Sequence, residues 1–347
     1  MAFEERPAPT SISFGRKLPR AGAGKTPIIV VTGFLGAGKT TILRSFLKTP
    51  EAARSVVIVN EFGDIGIDDA LLSSDGQNAI LLGNGCLCCR VLTDLQQSCL
   101  DLLDARARGA IPSFARIIVE TSGLADPVPI LQTFMSERNL GAQLYLSGVL
   151  AVVDASNFSN TISRFAESRR QLVFADRVLV TKSDLVSSSE FADVQRAVLA
   201  ISPHVEVHNV TSGVVHPDVL LAASGHPSKN IFYADPVHSN DVETFTFSFA
   251  NPVNWEAFAQ SLGLLSKLRG DDLLRLKGIL NVQGCDGPVL IQVVQHVAYP
   301  AEELEAWPNG DRDSRVVCIV RNIERDQVVS LFLAAQGLAR TPSQRQV

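Results

Sequence analysis

Residues 33 to 40, Gly-Phe-Leu-Gly-Ala-Gly-Lys-Thr, carry the glycine, lysine and hydroxyl spacing of a phosphate loop. Gly33, Gly36 and Gly38 let the backbone N–H groups of the loop, that of Ala37 included, curl around phosphate oxygens. Lys39 is placed to reach the β and γ oxygens and Thr40 to ligate Mg2+. Thr41 follows in the first helical turn, whose dipole favours an anion. Such a loop binds a nucleoside triphosphate.

A second cluster, Gly85-Cys86-Leu87-Cys88-Cys89, sets three thiols within four residues. Cys86, Cys88 and Cys89 can supply soft ligands to Zn2+ or a related ion at about 2.3 Å, with carboxylate, imidazole or water completing the shell. A buried cysteine cluster or a redox site is the competing reading, against which Gly83 and Gly85 suit an exposed turn.

Three more segments place polar groups directly after apolar runs. Ile117-Ile118-Val119-Glu120-Thr121-Ser122-Gly123 ends a run in an acid and then a glycine. There Glu120 can hold Mg2+ through water, and the Gly123 N–H can sense a γ-phosphate. Asn60-Glu61-Phe62-Gly63-Asp64 sets two carboxylates in a loop, either merely solvated or able to orient an attacking water. Thr181-Lys182-Ser183-Asp184 follows Val178-Leu179-Val180 and resembles the guanine-specificity motif of GTPases, usually written NKxD. In that motif the Asp accepts from the guanine N1–H and exocyclic amine while the Lys stem covers the base. Asp184 and Lys182 fit these roles, whereas Thr181 stands where Asn is usual and lacks its amide contacts.

The elements that must position these groups follow from periodicity. Ile28 to Val31 reads as the strand before the phosphate loop and Thr41 to Leu47 as the helix after it. Apolar runs recur at 55 to 59, 116 to 119, 148 to 153 and 177 to 180, alternating with helical segments, which predicts a mostly parallel sheet covered on both faces. Between Arg90 and Arg108, Val91, Leu92, Leu95, Cys99, Leu102 and Leu103 form a helical stripe, which makes Cys99 a core residue rather than a ligand. Gly22 to Thr26 mimics part of the phosphate loop without a preceding strand. Residues 1 to 26 are read as a flexible leader, 27 to 222 as the nucleotide domain and 223 to 242 as a linker. Residues 243 to 340 form a smaller α+β domain, and 341 to 347 a tail. In that smaller domain Phe245, Phe247 and Phe249 alternate as a half-buried strand. Trp255, Phe258, Leu262 and Leu265 mark a helix, runs near 273 to 280, 288 to 297 and 315 to 320 suggest strands, and Asp326 to Gln336 suggests a closing helix.

The 347 residues, 46% of them hydrophobic, suffice for two cores. A net charge of -5 gives no general drive toward nucleic acid or an anionic membrane, and no apolar stretch is long enough to span one. Six cysteines, half of them within one short loop, point to metal or redox chemistry in a reducing compartment. The cytoplasm is the expected location.

Taken together, the motifs resemble those of the CobW-type metallochaperone GTPases, relatives of the GTPases that assist nickel insertion into urease and hydrogenase. The resemblance runs from about Thr26 to Gln336, through GFLGAGKTT at 33 to 41, NEFGDIGID at 60 to 68, GCLCC at 85 to 89, ETSGLADP at 120 to 127, TKSD at 181 to 184 and LLRLKGIL at 273 to 280. It implies a P-loop GTPase domain whose metal-binding GCxCC motif lies beside its switch loops, and a CobW-type C-terminal domain. It also implies transfer of Zn2+ or Co2+ to a client metalloprotein, and it is compatible with a homodimer. Many members carry a histidine-rich stretch near the linker; here His204, His208, His216, His226 and His238 are scattered, and His296 falls within an expected strand.

The resulting expectation is slow, regulatory GTP hydrolysis linked to metal affinity, with Lys39, Glu61, Asp64 and Glu120 as the catalytic candidates. A GTP-regulated scaffold with structural zinc is the main rival. A small-molecule kinase is disfavoured by the guanine motif and the thiols, and a partition-type or arsenite-pump ATPase by Phe34, which occupies the place of its extra lysine.

Overall fold

The computed structural model describes residues 24–59, 80–83, 91–136, 138–221, 237–239, 242–307 and 311–340. The chain divides into two compact units, Gly24–Asn230 and Ile231–Val347.

The first unit is a seven-stranded, wholly parallel sheet. Its strands are β1 (Thr26–Thr32), β2 (Ser55–Val59), β3 (Ile80–Gly83), β4 (Arg116–Glu120), β5 (Leu144–Asp154), β6 (Arg177–Thr181) and β7 (Glu206–Val210), in the order β3-β2-β4-β1-β5-β6-β7. The central strands are apolar on both faces because both are covered. On one face Ile29, Val31, Leu150, Val152 and Leu179 pack with Ile42, Leu43 and Phe46 of α1 (Lys39–Phe46). On the other, Ala151, Val178 and Val180 meet Phe158 of α5 (Phe158–Arg164), Leu172 of α6 (Ala166–Val173), and Val194 and Val198 of α7 (Ser188–Ile201). Helices α2 (Val91–Ala107), α3 (Pro127–Ser136), α4 (Arg138–Gln143) and α8 (Pro217–Leu221) complete the unit. Cys99 is fully buried in the α2 stripe, and burial pushes its thiol up to about 12, which keeps it protonated and inert.

The expected leader and strand boundaries shift slightly. β1 already begins at Thr26, which pairs with Leu144, so the sheet starts inside the stretch read as leader. β5 is also longer than the run that announced it.

The second unit is antiparallel. Strands β8 (Val237–Ser239), β9 (Val242–Phe249), β10 (Leu273–Leu280), β11 (Val289–Val294), β12 (Val297–Ala298) and β14 (Ser314–Arg321) form the order β12-β11-β10-β14-β9-β8, with β13 (Glu302–Glu303) on β11. β8 falls in the stretch read as linker. Phe245, Phe247 and Phe249 point to one face, where Phe258 of α9 (Trp255–Arg269) and Phe332 of α10 (Arg325–Arg340) pack with ring centroids 4.6 Å apart. Helices on one sheet face were the expectation. His296 is a correction: the run 288 to 297 breaks into a hairpin at Gln295, whose φ is 53°, leaving His296 exposed in the turn, near Ser266 O and Asp271. Among the described residues no helix is long and apolar enough to cross a membrane.

Candidate functional site

Parallel pairing brings every strand end of the first unit to one edge. The registers Val31↔Glu120, Val59↔Glu120, Val59↔Gly83, Thr32↔Ala151, Asp154↔Thr181 and Thr181↔Val210 align the carboxyl ends. Loops leaving these ends therefore share one rim, the place where open α/β sheets bind ligands.

The phosphate loop crosses the middle of that rim. Gly33 has φ +142°, and a Cβ there would lie 2.2 Å from Val152 O, so only glycine fits. Gly36 and Gly38 also have positive φ, and Gly38 caps α1. Gly33→Ala is expected to cost roughly 3 kcal/mol, about 10 °C in melting temperature, because backbone must move on both sides of the contact. A thermal melt within 2 °C or so of the parent protein would contradict this packing.

Lys39 is buried, its ammonium donating to Gly33 O at 2.8 Å and Phe34 O at 3.3 Å. Thr40 Oγ1 donates to Glu120 Oε1 at 2.6 Å, joining two hard oxygen ligands from residues 80 apart in sequence. Glu120 is 3% exposed. An adjacent hydroxyl and carboxylate suit Mg2+, which prefers oxygen donors and retains several waters. Thr121 N–H donates to Val31 O, and Gly123 lies so close to the phosphate loop that a Cβ would be 2.6 Å from Leu35 N.

Thr181 has a different use from the Asn it replaces. Buried behind the loop, its hydroxyl donates to Ala37 O at 2.7 Å, with Val153 O at 3.0 Å, and its methyl would meet a Cβ on Gly38. It anchors the phosphate loop to β6. Lys182, at φ 54°, forms an ion pair of 2.6 Å with Asp154, and Asp184 is exposed on the following 3-10 turn, Ser183–Leu185. Burial pushes the Asp154 carboxyl up, but hydrogen bonds from Lys182 and Ser156 together with the Lys182 charge outweigh it, and its pKa falls below the usual carboxylate value.

Several site residues had not been singled out in the sequence. Asp154 has a readable signal, an acid ending the run 148 to 153. The loop after β7 has another, the turn dipeptide Ser212-Gly213, whose φ values of 53° and 72° make a mirror-image turn. A Cβ on Gly213 would meet Thr41 Cγ2 at 2.8 Å, so this turn closes over α1. A small pocket opens beside the phosphate loop, lined by Gly33, Phe34, Asp154, Asn157, Thr161 and Gln171 among others. Lys39, Thr40, Lys182 and Asp184 are not in its lining, so it flanks the phosphate site rather than forming it.

Glu61, Asp64, Cys86, Cys88 and Cys89 lie outside the described residues. Among the described residues, no group of three or more His, Cys, Asp or Glu is arranged to hold a metal ion.

Residues 27–209 match the family model for the CobW/HypB/UreG nucleotide-binding domain, and 242–336 match the cobalamin synthesis protein CobW C-terminal domain. The chain is 32% identical over 312 residues to the zinc chaperone YjiA of Escherichia coli, covering 88% of this chain and 97% of that protein. A zinc chaperone CobW of a Sinorhizobium species is 31% identical over 343 residues, covering 86% and 94%. The crystal structure of Zn(II)-bound YjiA GTPase from E. coli superimposes with a TM-score of 0.69 at 29% identity, covering 90% of this chain and 99% of that one.

Proposed function

The chain belongs to the CobW/HypB/UreG family, and from that premise we propose that it is a GTP-hydrolysing metallochaperone that binds Zn2+, or Co2+, and passes it to a client metalloprotein. The supporting observation is the common rim. The carboxyl ends of β4 at Glu120, β2 at Val59 and β3 at Gly83 lie in register along one edge, β4 next to β1 and its phosphate loop, β2 beyond it and β3 at the sheet margin; the 60 to 68 segment and the cysteine motif follow β2 and β3 in sequence. A γ-phosphate can bias loops that leave this edge, and the cysteine motif falls in sequence between two of the segments expected to respond to it.

In this reading the GTP phosphates replace the Gly33 and Phe34 carbonyls as acceptors for Lys39. Thr40 and Glu120 would hold Mg2+, which when bound neutralises charge on the β and γ oxygens. The Gly123 N–H meets the γ-phosphate, and Glu61, Asp64 or Glu120 orients the attacking water. Asp184 and Lys182 select guanine, with Asp154 fixing the Lys182 ammonium. Metal is cargo, held by Cys86, Cys88 and Cys89. The proposed setting is the cytoplasm, and the proposed partner is a client metalloprotein.

GTP is expected to bind at least about tenfold more tightly than ATP, because Asp184 facing adenine loses its donors and is left unpaired. Asp184→Asn should shift preference toward xanthosine nucleotides, whose 2-oxo group accepts from the new amide. Competition binding checks both expectations, and equal GTP and ATP affinities would remove the guanine assignment.

A further inference from the structure

We propose that Gln171 is a positioning residue that presets the Gly123 loop for the γ-phosphate, an inference that rests on the GTPase reading above. Gln171 lies on α6 and is 1% exposed. Its amide Nε2 donates to Gly123 O and to Ala125 O, both at 3.1 Å. Two carbonyl acceptors determine which way the amide points, since the reverse orientation would set Oε1 against both. The two carbonyls belong to one turn, closed by the Ala125 N–H donating to Ser122 O.

A single NH2 group thus saturates two carbonyls of the loop that follows Glu120. Glycine at 123 would otherwise leave the flanking peptides free to rotate, and with them the N–H that must face the γ-phosphate. The same helix ties this loop a second time, through Arg170 and Asp126 at 2.9 Å. Just before α6, the Phe165 ring packs against that of Phe34 in the phosphate loop, with centroids 4.5 Å apart and planes tilted by 34°. The segment from Phe165 to Gln171 therefore touches both loops that must close on the terminal phosphate, and Gln171 does so through backbone carbonyls alone. A preset loop spares GTP the cost of ordering it. GDP has no γ-phosphate and gains nothing from the clamp.

The test compares the full-length protein with Gln171→Met, which keeps length without donors, and Gln171→Glu, which can offer at most one donor and only when protonated. Calorimetry with Mg2+ measures affinity for GDP and for a nonhydrolysable GTP analogue. The expected result is analogue binding weakened about tenfold, the equivalent of one or two lost hydrogen bonds, with GDP affinity held within about twofold. A purely structural role would move both nucleotides together, and that result, or no change in either, overturns the inference while leaving the GTPase reading intact. Failure of the parent protein to bind the analogue would instead sink the GTPase reading. Should both Gln171 variants melt below the assay temperature, Arg170→Ala removes the exposed outer tie. It should lower the analogue-to-GDP affinity ratio about twofold to threefold, and an unchanged ratio contradicts the clamp.

Discussion

Lys39→Ala is expected to abolish tight GTP binding while the chain remains folded. The ammonium is the cation that neutralises β and γ charge, and each charge-assisted bond it makes to phosphate contributes about 1.5 to 3 kcal/mol. Losing two of them weakens binding on the order of 100-fold to 10,000-fold. Stability should change far less. The substitution removes bonds to Gly33 O and Phe34 O, but it also removes a buried positive charge, and the two effects oppose each other. A melting temperature within a few degrees of the parent, together with lost affinity in calorimetry, is the predicted pair of observations. Unchanged GTP affinity would remove the phosphate-loop assignment.

Much of this site can be read from the sequence because its groups follow continuous apolar runs, and parallel strands buried on both faces are written as such runs. Ile28 to Val31, Ile117 to Val119 and Val178 to Val180 each end at a residue the site uses. The edge strands β3 and β7 escaped for the opposite reason. β3 has only four residues, and Glu206-Val207-His208-Asn209-Val210 lies last in the sheet, mostly half-buried, so polar side chains interrupt its pattern. The hairpin at His296 was hidden by a left-handed Gln295 that no periodicity reveals.

Residue roles depend on tertiary neighbours more than elements do. Thr181 was weighed as a weak guanine ligand, yet its hydroxyl reaches Ala37 O, 144 residues earlier, and holds the phosphate loop. Gln171 carries no local signal, because a glutamine on a short helix reads as surface until the turn at 122 to 125 folds against it. Asp154 and Ser212-Gly213 did carry signals, an acid at the end of the run 148 to 153 and a turn dipeptide legible on its own.

The second large effect concerns the metal. GTP–Mg2+ should raise metal affinity at Cys86, Cys88 and Cys89, and hydrolysis should lower it, because in the proposed reading the cysteine motif falls in sequence between the 60 to 68 and 120 to 127 segments, both of which should respond to the γ-phosphate. By linkage, metal must tighten GTP binding by the same factor. A coupling of roughly 1 to 3 kcal/mol corresponds to about 5-fold to 150-fold in either affinity. Replacing Cys88 and Cys89 together with Ser should weaken Zn2+ or Co2+ binding and erase the coupling, while basal GTP binding stays nearly intact. The direct measurement is a chelator-competition titration of Zn2+ into the full-length protein, saturated in one arm with GDP–Mg2+ and in the other with a nonhydrolysable GTP analogue and Mg2+. Metal affinity at least about fivefold higher in the analogue arm, lost in the double serine variant, is the predicted result. Identical affinities in the two arms would leave a GTPase with a structural metal site and contradict the chaperone function.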